Sequence, residues 1–241
     1  IAIGHTALSA LTSGENNIAI GYQSMVATGT GSQNTAVGHQ TLTAMPDGPI
    51  GNTAIGYQVL EDANHAGAEN NTGVGKLALN ALTTGGANTV VGANAGDALL
   101  GGGNNVMMGI HAGGVTTAVG KSILIGYYAG GRAAITAAAD GLIAIGSDAA
   151  ANMTAGNKNT VIGYEAMYTQ TTGGSNVAIG YHAMHDANHA DCDDNTCIGA
   201  HAGQDLGAYA SLGNTFIGAS AGGGTHAGAN IRSTAVGAGS M

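Results

Sequence analysis

One stretch late in the chain crowds together most of the side chains that could do chemistry: His182, His185, Asp186, His189, Asp191, Cys192, Asp193, Asp194 and Cys197. Imidazole, thiolate and carboxylate groups together form a donor set for a transition metal. His182, His185, His189, Asp191 and Cys192 are the candidate ligands. A plainer reading competes with this one. Glu61-Asp62-Ala63-Asn64-His65-Ala66 parallels His185-Asp186-Ala187-Asn188-His189-Ala190 at an offset of 124 residues, and the earlier copy has no cysteine. A duplicated loop that has drifted accounts for both segments as solvated surface, with no cofactor at all. Cys192 and Cys197 are the only cysteines. A local disulfide and two free, partly buried thiols both fit, and a bridge over so short a loop would stabilise the fold only modestly.

A second set is spread out. His5, Tyr22, His39, Tyr57, Tyr127, Tyr164 and Tyr181 each follow directly on a glycine of one recurring phrase. Aromatic faces suit sugars and protein partners, so these residues could form a receptor- or glycan-binding strip. Equally, they could fill a corner between neighbouring elements or a groove between chains. Catalysis finds little support. A nucleophile with its base, or a pair of carboxylates in a pocket, is the minimum, and no triad spacing or nucleophile elbow occurs. We expect a protein that is not an enzyme.

The elements that must position these residues are copies of one unit. The phrase Asn52-Thr53-Ala54-Ile55-Gly56-Tyr57 returns fourteen times, anchored on glycines 4, 21, 38, 56, 75, 92, 109, 126, 146, 163, 180, 199, 218 and 237, at intervals of 17–20 residues. Such a period predicts a solenoid. Before each anchor stands Ile, Val or Met, and two residues earlier Thr, Ile or Val. Between them lies a mostly small residue, Ala in seven copies. Alternation with period two and β-branching predicts a short strand. The two β-branched positions share one face, expected to point inward, and the small residue takes the other. Four residues before the anchor lies Asn17, Asn34, Asn52, Asn71, Asn88, Asn105, Asn159, Asn176, Asn195 or Asn214. Amides stacked one coil apart can form a ladder. A turn preference of Asn at strand entry explains the same column. The remaining Thr-, Gly-, Asn- and Ala-rich residues are outer loops.

Composition narrows the classes. There are 44 glycines, one Phe and no Trp among 241 residues, so the interior must be thin and aliphatic. The net charge of −9 includes only five basic residues, scattered so widely that no stripe could follow a phosphate backbone. A nucleic-acid partner is not expected, and no apolar run is long enough for a membrane-spanning helix. The chain opens inside one copy and stops inside another, so it reads as a segment of a longer protein with a single repeat domain over 1–241.

The phrases Asn-Thr-Ala-Ile-Gly and Asn-Val-Ala-Ile-Gly resemble the head repeats of YadA-like trimeric autotransporter adhesins, which are left-handed parallel β-rolls packed three abreast. The longer phrase Asn-Thr-Ala-Ile-Gly-Tyr-Gln-x-Leu at 52–60 is similar to repeats of bacteriophage tail fibres. The adhesin heads have a shorter period of about fourteen residues, whereas the coils here are longer. The fold class is therefore all-β, a parallel β-solenoid (β-roll or β-helix) of about fourteen coils. The resemblance implies a homotrimeric fibre in a virion or outside the cell, with a bacterial cell surface as the alternative setting. It also implies a host-surface receptor or glycan as partner. A self-assembled extracellular filament is a further option. The segment Ile-Gly-Tyr-Gln-x-Leu loosely resembles hexapeptide acyltransferases, but a six-residue period does not divide the coils. Ice binding would need outward Thr arrays, and the Thr column is expected to face inward.

Overall fold

The structure, a computed structural model, describes residues 1–27, 29–44, 48, 50–63, 67–206, 209–223 and 230–240. Asn64, His65 and Ala66 of the earlier loop copy lie outside the described residues. The chain forms two compact units, Ile1–Gly120 and Lys121–Met241. Among the described residues helix is limited to short 3-10 segments such as the three-residue turn at Ala137–Ala139. None is long and apolar enough to cross a membrane.

Both units are parallel β-solenoids. The first stacks β1 (Ala2–Ile3), β2 (Ile18–Ile20), β3 (Thr35–Val37), β4 (Thr53–Ile55), β5 (Thr72–Val74), β6 (Thr89–Val91) and β7 (Val106–Met108) in chain order. The second stacks β8 (Ile123–Ile125), β9 (Ile143–Ile145), β10 (Thr160–Ile162) and β11 (Val177–Ile179). It continues with β13 (Thr196–Ile198), β15 (Thr215–Ile217) and β17 (Thr234–Val236). The two-residue strands β12 (Cys192–Asp193), β14 (Ser211–Leu212) and β16 (Asn230–Ile231) form a second, three-stranded sheet alongside. Equivalent residues pair in register, Ala36 with Ala54 and Val161 with Ala178.

The anchor glycine makes this stacking feasible. Anchor φ values run from +119° to +146°, a conformation that side chains rarely adopt. A Cβ on Gly163 would overlap the carbonyl group of Gly180, and the same holds at Gly21 against Gly38 and at Gly92 against Gly109. Within each unit, the amide of every anchor after the first donates to the residue before the previous anchor, as Gly21 N does to Ile3 O at 2.7 Å and Gly163 N to Ile145 O at 2.8 Å.

After the anchor the backbone alternates its partners. Gln40 N donates back to Tyr22 O at 2.9 Å, whereas Leu42 N donates onward to Val59 O at 3.1 Å. Alternate residues here take left-handed φ, for example Gln40 at 51° and Leu42 at 51°. That costs an ordinary residue about 1–2 kcal/mol, and the hydrogen bonds that these alternate amides make to the coils on either side offset it.

The Asn column sits inside the same backbone. In the first unit Asn34 N donates to Asn17 Oδ1 at 3.0 Å, and the pattern repeats through Asn52, Asn71, Asn88 and Asn105. In the second unit Asn176, Asn195 and Asn214 continue it from Asn159. The amide groups of Asn17, Asn52, Asn71, Asn88, Asn105, Asn159, Asn176 and Asn195 also reach a carbonyl of the segment leading into the next strand, as Asn176 Nδ2 does to Cys192 O at 2.7 Å. Where Asn is replaced by Ser122, its Oγ accepts from Leu142 N at 3.1 Å. All ten asparagines are buried.

The expected orientation of the strands is inverted. The middle residue of each strand points inward: Ala19, Ala36, Ala54, Val90, Leu124, Val161, Ala178 and Phe216 are fully buried. The residue before the anchor points out, with Ile55 41%, Met108 43% and Ile217 39% exposed. The Thr column shares that outward face. The reason is space. A coil of so few residues encloses room for one inward column per strand, and that column shares the interior with the residues three, four and seven positions after the anchor, such as Ala78, Leu79 and Leu82. Two β-branched columns would not fit there, whereas outside they cover the pleated surface.

Volume is shared within each coil. Where the strand contributes Ala or Gly, the residue four after the anchor is large: Met25, Leu42, Leu60, Leu79 and Met184. Where it contributes Val90, Met107, Leu124, Cys197 or Phe216, that position is Gly96, Gly113, Gly130, Gly203 or Gly222. A Cβ on Gly222 would lie 2.6 Å from the Phe216 ring. Ala144 with Ala150 and Val161 with Met167 depart from the rule, and their strands are neighbours. Phe216→Ala should cost about 3–5 kcal/mol and Gly222→Leu about 1–3 kcal/mol, because equivalent leucines already occupy left-handed backbone. Combined, the two should cost over ~1 kcal/mol less than their sum in denaturant titrations. Simple additivity would refute the shared volume.

Candidate functional site

The second unit brings three donor atoms to one point. Glu165 stands two residues after anchor Gly163, and His182 stands at the same place in the next coil, two after Gly180. His185 follows three residues later in the same coil. Glu165 Oε2 lies 2.9 Å from His182 Nε2 and 3.4 Å from His185 Nε2. The three ligand atoms are all within 4.8 Å of one another. Each side chain is largely covered, 18% exposed for both histidines and 24% for Glu165.

Neighbouring rings hold the imidazoles. His182 lies against Tyr181 at 4.0 Å between centroids and 7° between planes, and His185 stacks on His182 at 4.5 Å. Tyr168 packs on His185 at 5.4 Å and His201 meets His182 edge-on. His185 Nδ1 lies 2.8 Å from Asp186 Oδ1. His182 Nε2 is buried, and although Glu165 is close, the pair is not aligned as a hydrogen bond.

Burial, and then the neighbouring His185, pushes the His182 imidazole below its ordinary value, against the opposite pull of Glu165; His201 adds to the lowering. The folded chain thus holds this proton less readily than the unfolded chain does. Stability from this group is fully present above about pH 6.5 and declines as pH falls through that value toward the lower folded one.

The remaining sequence candidates lie elsewhere. His189 Nδ1 and Asp191 Oδ2 face each other at 3.8 Å with both side chains well exposed. Cys192 and Cys197 are free and buried. Burial, with Cys192 adding to it, pushes the Cys197 thiol up to about 12, and burial raises Cys192 as well. Both therefore stay protonated near neutral pH and are poor ligands and nucleophiles. Sequence reading missed Glu165. It is 17 residues before His182, remote in a linear scan yet one coil away in the stack, so aligning the coils on their anchors would have found it.

The residues after the anchors form an outward ring column. In the first unit His5, Tyr22, His39 and Tyr57 stack at 5.6, 5.1 and 5.2 Å with planes within 20°. In the second unit Tyr164 stacks on Tyr181 at 5.6 Å. These tyrosines are about half exposed, 44% for Tyr57 and 49% for Tyr181. Beside the rings Gln23, Gln40 and Gln58 link side chain to side chain at 3.0 and 3.2 Å. Arg132 pairs with Asp148 and lies over Tyr128 at 4.4 Å.

Comparison with family models, curated proteins and solved structures finds no match to this chain.

In EDTA, the melting temperature of the chain should fall between pH 7 and pH 5.5, and His182→Gln should flatten that fall. Parallel pH profiles would rule out His182 as the group responsible.

Proposed function

We propose that this chain is a segment of a homotrimeric fibre, with a bacteriophage tail fibre as its setting, and that it works by reach and display rather than by catalysis. The observation that supports this reading is the outward strand face. In the first unit it carries Val37, Ile55, Val74, Val91 and Met108, and in the second Ile125, Ile145, Ile162, Ile179, Ile198 and Ile217, all partly or well exposed. A continuous aliphatic column on a soluble chain marks an interaction surface. Register stacking repeats the column every coil, so another copy of the chain matches it residue for residue. The three-fold number comes from the resemblance to fibre and adhesin repeats. Virion placement comes from the Tyr-Gln-x-Leu extension. In this reading the ring column and outer loops face the host surface, where aromatic faces would meet a receptor or glycan.

The outward Thr column favours one further reading. Thr35, Thr53, Thr72 and Thr89 are consecutive, in register and on the outer face. A regular hydroxyl and methyl array of this kind suits a crystalline surface such as ice, provided the face stays free.

Sedimentation in native buffer separates the two. The fibre reading expects a trimer, and Ile145→Asp with Ile162→Asp should release monomers that keep their β-sheet circular dichroism. A wild-type monomer would overturn the fibre reading, and inhibition of ice recrystallisation by that monomer would favour the other.

A further inference from the structure

Three donors converge where the fold has no need of them. The Asn ladder, the anchor glycines and the inward columns account for the stack, and Glu165, His182 and His185 take part in none of these. Two features of their arrangement point to a cation. First, Asp186 Oδ1 lies 2.8 Å from His185 Nδ1. A carboxylate there places the imidazole proton on Nδ1 and leaves the unprotonated Nε2 only 3.4 Å from Glu165 Oε2. Two electron-rich atoms facing each other repel unless a proton or a metal lies between them. Second, His182 Nε2 is buried beside the same oxygen without a hydrogen-bond partner.

We propose that Glu165, His182 and His185 bind one first-row divalent transition metal of the zinc class. Two bonds of about 2.0–2.1 Å at a tetrahedral angle set ligand atoms roughly 3.3 Å apart. The separations of 2.9 and 3.4 Å about Glu165 Oε2 bracket that value. Two imidazoles with one carboxylate suit zinc, cobalt or nickel and disfavour calcium and magnesium, which take oxygen ligands. Asp186 acts as a positioning residue, orienting His185 as outer carboxylates do for metal-bound histidines. The stack of Tyr181, His182 and His185 holds both rings before the ion arrives. A site of this kind ties two successive coils together by side chains, whatever the oligomeric state.

The test uses the whole chain, stripped with EDTA and then dialysed against zinc alone. One equivalent of zinc per chain should remain, and the melting temperature should rise. Cobalt in its place should give the visible absorption of a tetrahedral ion. His182→Asn with His185→Asn should lose both the equivalent and the thermal shift. Asp186→Asn should weaken binding by about 10–100-fold while sparing the metal-free melting temperature. Should the double variant fold poorly, the wild-type chain decides. Zinc should protect His182 and His185 from diethylpyrocarbonate, read by peptide mass, and leave His189 reactive. No retained zinc, an equivalent that survives in the folded double variant, or protection centred on His189 would each overturn the site.

Discussion

Everything in this fold depends on how closely one coil can approach the next at the anchor glycine. The carbonyl group of the following anchor occupies the place where a Cβ would stand, from Gly4 to Gly92 in the first unit and from Gly126 to Gly218 in the second. That approach sets the spacing of the parallel ladder, so every other column inherits it. The amides of Asn residues then meet the Asn of the neighbouring coil, rings stack on rings, and Gln side chains join into a row. No single contact here is strong. A hydrogen bond contributes about 0.5–1.5 kcal/mol net, and the stack is stable because the same few are made in almost every coil.

A thin interior follows from the same closeness. With one inward column per strand, most coils place a large residue on one side only, and Leu or Met on the turn alternates with Val, Leu or Phe on the strand. The β-branched residues then go outside, where they form an aliphatic face. This is the link between packing and function. In the proposed fibre, another copy with the same repeat covers that face.

Much of the architecture was legible in the sequence because the constraints act on the backbone and are written once per coil. Gly recurs where no other residue serves and Asn at almost every strand entry, so strand positions, register and the parallel order follow from the spacing. The direction of the faces was not legible in the same way. Alternation with period two marks two faces without saying which is interior, and the habit of placing Ile and Val inside gives the wrong answer when the coil is too narrow to hold them. The glycine that accompanies Phe216 or Leu124 was the available clue, since a missing side chain opposite a large one means both face the same space. The metal candidates show the limit of reading along the line. His182 and His185 were visible as a pair, but Cys192 was grouped with them only through sequence proximity and lies in the core, while Glu165 waited one coil upstream.

The account can be tested most directly by adding a single methyl group at two glycines. Gly163 and Gly141 both have positive φ, but Gly163 abuts the backbone of the next coil while nothing lies within 4 Å of a Cβ built on Gly141. Equilibrium unfolding of Gly141→Ala should show a loss of about 1–2 kcal/mol from backbone strain alone. Gly163→Ala should lose more than about 4 kcal/mol, or fail to fold, because the stack itself must open. Equal losses at the two positions would contradict the close approach of coils as the constraint on which the structure rests.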